Sequence, residues 1–133
     1  MFFEYDITIP AQTTEANALR QDLDLKWGTV KKIAVQFPRG CYGLVHAQIW
    51  SGRHQIAPVN ELGNIKGEEA VVEFETEWDL MEPPYLVTAV VWNDDDSYAH
   101  TLTIRVGVET PVPLFPENLG IAQLVYVPKR GEG

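Results

Sequence analysis

The sequence predicts an all-β protein, an antiparallel β-sandwich or jelly roll of about eight strands. Apolar and polar residues alternate with a period of two along most of residues 4–109, as expected for half-buried strands. Turn-forming Gly, Pro, Asn and Asp residues separate these segments at regular intervals. Because both topologies fit this spacing, the strand order stays open between a jelly roll and an immunoglobulin-like arrangement.

The first three strands are predicted from residues 4–9, 19–27 and 32–37. In the first, Tyr5, Ile7 and Ile9 share one face. The second alternates Leu with charged residues and ends at Gly28, and the third ends at Pro38. Between the first two, "TTEANALRQ" fits a short capped helix or the edge of a strand equally well.

Residues 44–57 are predicted to form a β-hairpin with Ser51 and Gly52 as its two-residue loop. This register places Trp50 opposite Arg53, and Gln48 opposite Gln55. A three-residue loop would turn the second strand over. The polar face of this hairpin would then carry an aromatic ring among amides, an imidazole and a guanidinium, contributed by His46, Gln48, Trp50, Arg53 and Gln55.

Residues 70–76 alternate again, and Glu73, Glu75 and Glu77 share one face. Catalytic carboxylate pairs normally face each other across a cleft rather than following one strand. We therefore interpret these acids as a solvated strand face, or as an edge protected against aggregation.

The segments "YLVTAVVW" and "YAHTLTIRVGV" are predicted to be the strongest pair of strands, with "NDDDS" between them. The first is apolar on both faces and should be a central strand. Asn and Asp favour turns because their side chains bind nearby backbone amides. A calcium site would need alternating ligands and a glycine, so Asp94, Asp95 and Asp96 are interpreted as a tight turn, with a weak cation site as the alternative.

After residue 109 the chain changes character, so we divide it into a β-sandwich domain, 1–109, and a proline-rich C-terminal arm and tail, 110–133. Three prolines fall within residues 111–116 and favour extended chain. The N-terminal segment "FFEYDITIP" is also expected to reach a neighbour as an extended arm.

The net charge of −9 argues against nucleic acid as a partner, because phosphate binding needs clustered Lys and Arg. Residues 25–60 contain five bases and no acid, whereas residues 61–96 contain eleven acids and one base. These stretches could be solvated surfaces. Alternatively, a basic face of one copy could meet an acidic face of the next, since complementary patches set register between subunits.

We predict no enzymatic activity, and no catalytic, cofactor-binding or metal-ligating residue. The single cysteine, Cys41, lies in a glycine-flanked turn with no base placed beside it by the spacing. His46 and His54 are predicted on opposite faces of the hairpin, and His100 as a half-buried, hydrogen-bonded residue. No metal-binding arrangement of histidines or phosphate-binding glycine loop is present in the sequence.

The chain has no run of about 18 apolar residues, so we expect no membrane-spanning helix and no membrane partner. Its first ten residues include acids where a secretory signal needs a basic segment followed by an apolar one. We therefore expect a protein that is cytoplasmic at synthesis, or a processed form.

In "FPRGCYGLVHAQIWSGRHQIAPVN" and "AVVWNDDDSYAHTLTIRVGV", the chain resembles small β-sandwich proteins encoded among the structural genes of tailed viruses of bacteria and archaea. The resemblance covers about residues 5–109. It implies a virion component, such as a capsid decoration or vertex protein, assembled in the host cytoplasm.

On this interpretation the partners are a protein lattice, such as a major capsid protein, and further copies in a homo-oligomer. The predicted interface residues are Lys31, Lys32, Arg39, Trp50, Arg53, Pro113, Leu114 and Phe115. The alternative is a carbohydrate-binding module, in which Trp50 stacks on a sugar ring. Trp50 could equally anchor a protein interface, or lie under the C-terminal arm of its own chain.

Overall fold

The structure is a computed structural model that describes residues 1–60, 63–110, 113–114 and 125–126. These residues form two antiparallel β-sheets and a short 3₁₀ turn, Glu15–Asn17, with no α-helix. The strands are β1 Phe2–Ile9, β2 Leu19–Asp24, β3 Gly28–Phe37, β4 Val45–Ser51, β5 His54–Ala57, β6 Ile65–Lys66, β7 Ala70–Leu80, β8 Leu86–Asn93, β9 His100–Glu109, β10 Pro113–Leu114 and β11 Val125–Tyr126. The predicted all-β class is confirmed.

The strands pair in a nested pattern. β1 pairs with β9, β2 with β8, and β3 with β7, while β4 pairs with both β5 and β6. The four-stranded sheet has the order β1-β9-β3-β7, and the five-stranded sheet has the order β2-β8-β4-β5, with β6 also beside β4. Consecutive strands therefore alternate between the two sheets over much of the chain.

One apolar core joins the two sheets and gives a sandwich-like arrangement. Ile33 and Ile104 enter it from the four-stranded sheet, and Ile49 and Val91 from the five-stranded sheet; all four are fully buried. Alternation explains this, because successive side chains of a strand point to opposite faces. β8 lies between β2 and β4, with residues of both its faces buried, as the apolar run in the sequence predicts.

Two predicted strand pairings are wrong. β8 and β9 do not form a hairpin, because β8 pairs with β2 and β4 whereas β9 pairs with β1 and β3. The acidic segment between them crosses from one sheet to the other. The β4–β5 hairpin exists, but Ser51 pairs with His54 and Trp50 with Gln55, so the loop is Gly52–Arg53. Gly52 has a φ of 59°, which favours glycine at that loop position.

The predicted N-terminal strand is confirmed as β1, the edge strand of the four-stranded sheet, and its extension to a neighbour stays a prediction. Its alternation explains this outcome, because Ile7 and Ile9 are buried in the common core. In the C-terminal segment, Pro113 pairs with Tyr126 and Leu114 with Val125. The predicted interface residue Phe115 lies outside the described residues. Among the described residues, no helix has the length and apolar character needed to cross a membrane.

Candidate functional site

The acidic segment after β8 forms a turn that satisfies its own polar groups. Asn93 is fully buried, and its side-chain amide donates to the backbone carbonyls of Ile9 and Tyr98 at 3.1 and 3.0 Å. Its side-chain oxygen accepts from the Asp95 amide at 2.9 Å. Asn93 therefore connects the end of β8 to β1 and to the start of β9.

The three aspartates point to different partners and do not converge. Asp94 Oδ2 lies 3.1 Å from His46 Nε2, and Asp96 accepts from the Ser97 hydroxyl at 3.0 Å. Asp95 accepts from the Ser97 amide at 2.8 Å and contacts His100 Nε2 at 2.9 Å. The His100 hydrogen bond and the backbone bonds lower the pKa of Asp95. Among the described residues, no group of three or more His, Cys, Asp or Glu side chains could hold a metal ion.

Cys41 lies at the same end of the molecule and is not placed to act as a nucleophile. Its side chain is fully buried. Burial raises its pKa to about 11, with added contributions from the negative charges of Glu68 and Asp95. Because the thiolate is the reactive form, the thiol is inert at neutral pH. The packed role predicted for this residue agrees with its environment.

The loop around Cys41 binds an internal carboxylate. Glu68 accepts hydrogen bonds from the Gly40 amide at 3.0 Å and from the Tyr42 amide at 2.6 Å. These bonds lower the pKa of Glu68. Gly40 and Tyr42 have φ angles of 99° and 48°, which turn successive amides toward one point. This anion-binding loop is therefore occupied by a side chain of its own protein.

The polar face around Trp50 is largely engaged by its own chain. The Trp50 indole N–H donates to Gln48 Oε1 at 3.1 Å, and the Gln48 amide donates to the Gly63 carbonyl at 2.9 Å. Gln55 donates to the Pro58 carbonyl at 2.7 Å. The Trp50 ring itself is half-buried, and Arg53 is exposed.

The basic and acidic stretches of the sequence meet within one chain, because β3 and β7 are neighbours. Lys31 Nζ lies 2.6 Å from Glu77 Oε2, and Lys32 Nζ lies 3.7 Å from Glu73 Oε1. In the loops that flank these strands, Arg39 pairs with a glutamate of the acidic stretch, Glu69, at 3.1 Å. The charge complementarity predicted between copies therefore has partners inside the molecule.

A groove of about 720 Å³ crosses the outer face of the four-stranded sheet. It is lined by Met1 and Phe2, by residues 107–109 of β9, by Lys31 and Lys32 of β3, and by residues 75–77 of β7. The register of β3 shifts between Val30 and Lys32 against both neighbours. Such a bulge re-aims side chains, and here two successive lysines both line the groove. We call this feature the outer groove.

One end of the outer groove is apolar and exposed. Phe2 is 69% exposed and Met1 is 57% exposed. The Phe2 ring lies against Gly107, where an added Cβ would come within 2.8 Å of a ring carbon. Gly107 therefore lets an aromatic ring lie close to the sheet backbone. At the other end, Glu75 has no ion-pair partner among the described residues, whereas Glu77 is paired with Lys31.

Four of the predicted interface residues that the structure describes lie in two separate places. Lys31 and Lys32 lie in the outer groove, whereas Trp50 and Arg53 belong to the hairpin of the five-stranded sheet. Phe2 is not among the predicted interface residues, although its parity within β1, opposite to that of the buried Ile7 and Ile9, places it on the outer face. The sequence holds a second indication of this contact. Gly107 lies between Arg105 and Glu109 on the polar face of β9, where it leaves room for a ring.

Neither a search against protein-family models nor a search of curated proteins finds a match to this chain.

Proposed function

We propose that this chain is a non-enzymatic assembly protein with a jelly-roll fold, and that it is a capsid decoration or vertex component of a virion. It binds a protein lattice and further copies of itself. The outer groove and the sheet face around it form its docking surface for the lattice. In this proposal the chain is delivered to the virion in the host cytoplasm and has no nucleic-acid or membrane partner.

The nested pairing of strands supports the jelly-roll interpretation over the immunoglobulin-like one. A jelly roll is a long antiparallel hairpin rolled up, so that early strands pair with late ones. The pairs β1–β9, β2–β8, β3–β7 and β4–β5 follow this scheme. Jelly rolls recur in viral capsid proteins and in lectins, so the fold is compatible with both candidate functions. The residues of the candidate site have to distinguish the two functions.

The observation that carries the proposal is the exposed apolar end of the outer groove. Met1 and Phe2 stay uncovered beside a surface of alternating charges. Exposed apolar residues rimmed by polar ones are typical of protein–protein contacts, where aromatic residues supply much of the binding energy. The resemblance of residues 5–109 to structural proteins of tailed viruses supplies the virion setting.

The first experiment is density-gradient sedimentation of native source material, with this chain followed through the fractions by mass spectrometry. We expect it to travel with large particles and their major shell protein. Recovery only as a free species of about 15 kDa would contradict the assembly role.

A second experiment tests the docking surface itself. Purified wild-type chain and variants are added back to particles that lack it, and bound protein is measured after pelleting. Phe2→Ser should reduce binding at least tenfold, since exposed aromatic anchors dominate interface energies. Tyr98→Ser is the matched control, because Tyr98 is 70% exposed but lies away from the groove lining. Equal losses for both variants would show that the groove is not the contact.

Gly107→Ala gives a third variant that leaves every charge unchanged. Its added methyl group would meet the Phe2 ring at 2.8 Å and displace it from the sheet. We expect this variant to bind less well than wild type while unfolding at a similar denaturant concentration.

The second candidate is a carbohydrate-binding module, favoured by the half-exposed Trp50 ring and exposed Arg53 on the hairpin. The neighbouring amides already donate to the backbone carbonyls of Pro58 and Gly63, which leaves fewer groups for sugar hydroxyls. A glycan array decides between the candidates. Glycan binding by the wild type that is lost in Trp50→Ala would favour carbohydrate binding. If the wild type binds no glycan, this candidate function is excluded.

A further inference from the structure

We propose that the partner of this docking surface contributes an extended, basic segment that adds to the free edge of β7 as a fifth strand of the sheet. This inference depends on the proposed assembly function and names the chemistry of the partner.

β7 has a long edge with which no other described strand pairs. β7 is the last strand in the order β1-β9-β3-β7, and among the described residues β3 is its only strand partner. It extends over 11 residues, Ala70–Leu80. Natural proteins normally shorten or cover edge strands, since unpaired N–H and C=O groups are a template for another chain. A long uncovered edge is what strand addition by a partner requires.

The two faces of β7 differ in chemistry. Glu73, Glu75 and Glu77 lie exposed on the outer face. On the inner face, Phe74 and Trp78 are only partly buried against the core. An added strand would place alternate side chains beside the acids and beside these aromatic residues. The complementary segment therefore alternates Lys or Arg with apolar residues.

A second copy of β7 is excluded as the added strand by its charges. When two identical edges pair antiparallel about a two-fold axis, the same face of each sheet lies on the same side. Glu73 of one copy would then oppose Glu77 of the other, with Glu75 opposite Glu75. Like charges directly opposite are destabilising, so the acids that prevent self-pairing also select a basic partner.

Glu75 is the acid of β7 that is available to the partner. Glu73 and Glu77 are paired with Lys32 and Lys31, whereas Glu75 has no ion pair among the described residues. Glu75 also lines the outer groove. A basic side chain of the added strand can therefore bind Glu75 and direct its apolar stem into the groove.

The test uses a synthetic peptide matched in length to β7, with Lys alternating with Thr and Val. The control is the same peptide with alternate backbone nitrogens methylated, which keeps every charge but removes the strand hydrogen bonds on one edge. Binding to the full chain is measured by titration, and the site is found by hydrogen exchange. We expect the methylated peptide to bind at least tenfold more weakly.

Hydrogen exchange contrasts the two edges of the same sheet. We expect the peptide to protect amides of β7 and to leave β1 unchanged, because Glu4 on β1 is already paired with Arg105 at 3.1 Å. Glu75→Lys should weaken binding at least tenfold. Glu82→Lys is the matched control, since Glu82 is an exposed acid in the loop after β7, and it should weaken binding less than threefold.

Equal binding of both peptides, or protection spread over both edges, would overturn strand addition and leave the acids as a guard against aggregation. Equal effects of the Glu75 and Glu82 variants would overturn it as well. Neither result would affect the add-back experiment with Phe2→Ser, which tests the proposed function separately. Conversely, particle binding that survives Phe2→Ser would remove the assembly surface even if the peptide binds.

Discussion

Two segments of this protein carry several acids each but have different roles. In the turn between β8 and β9, Asp95 is 9% exposed and its carboxylate receives hydrogen bonds from two backbone amides and from His100. On β7, Glu75 is exposed and has no ion pair among the described residues. The difference lies in whether the chain itself uses the acceptor capacity of each carboxylate.

An acidic segment can therefore be classified by whether its carboxylates already accept hydrogen bonds from their own chain. A carboxylate with its lone pairs filled by its own backbone stabilises a turn and has little left for a ligand. A carboxylate on an open strand edge contributes little to folding and remains able to bind a partner. The first kind should respond strongly in stability measurements, and the second kind in binding measurements.

The largest expected effect is that of Asn93→Ala. This change leaves the Ile9 and Tyr98 carbonyls and the Asp95 amide without their partner. Because unsatisfied buried groups are costly, we expect a loss of about 3 kcal/mol in the free energy of unfolding. Chemical denaturation measures it. Asp96→Ala is the control, with an expected change below about 0.5 kcal/mol, and similar losses in both variants would contradict the assignment.

The next effect is on acid stability. The pKa values of Asp95 and Glu68 are lowered from ordinary values of 3.8 and 4.5. Their stabilisation is complete above those values and is lost as the pH falls through the folded-state pKa. Asp95→Asn and Glu68→Gln should each reduce the slope of the free energy of unfolding against pH in the acid range. The reduction should be at most the slope that the uptake of about one proton produces. Urea unfolding at a series of pH values measures these slopes. Equal slopes for a variant and the wild type would contradict the role of that carboxylate.

A smaller effect concerns the thiol beside these carboxylates. Since the pKa of Cys41 is raised to about 11, a disulfide reagent at pH 8 should modify the native protein about a hundredfold more slowly than the denatured chain. Glu68→Gln removes one negative charge that raises this pKa, so it should increase the native rate. Rapid modification of the native wild type would show that Cys41 is accessible and ionised.

The smallest effect on stability is expected for Glu75→Gln. This side chain lies on the exposed face of an edge strand, so the free energy of unfolding should change by less than about 0.5 kcal/mol. Thermal and chemical unfolding both measure it. A loss as large as that of Asn93→Ala would mean that the two acidic segments are not different in kind.

Several features were predictable because they depend on local sequence. The period of two identified most strands and their buried faces, such as Ile33 and Ile104. Turn chemistry indicated that residues 93–97 reverse the chain. For the connection between β8 and β9, the sequence pattern could not distinguish a hairpin from a crossing between sheets, since both begin with the same turn residues. The hairpin loop was misplaced by one residue because both Ser51–Gly52 and Gly52–Arg53 offer a glycine.

The sequence by itself determined the strand content, the inward and outward faces and the apolar core. Only the tertiary structure decided which strands are neighbours, because pairing joins residues far apart in the chain. It placed the basic β3 beside the acidic β7 and so formed ion pairs between these two stretches within one chain. It also laid Phe2 over Gly107 and placed β7 at the edge of its sheet among the described strands, and neither arrangement can be derived from local periodicity.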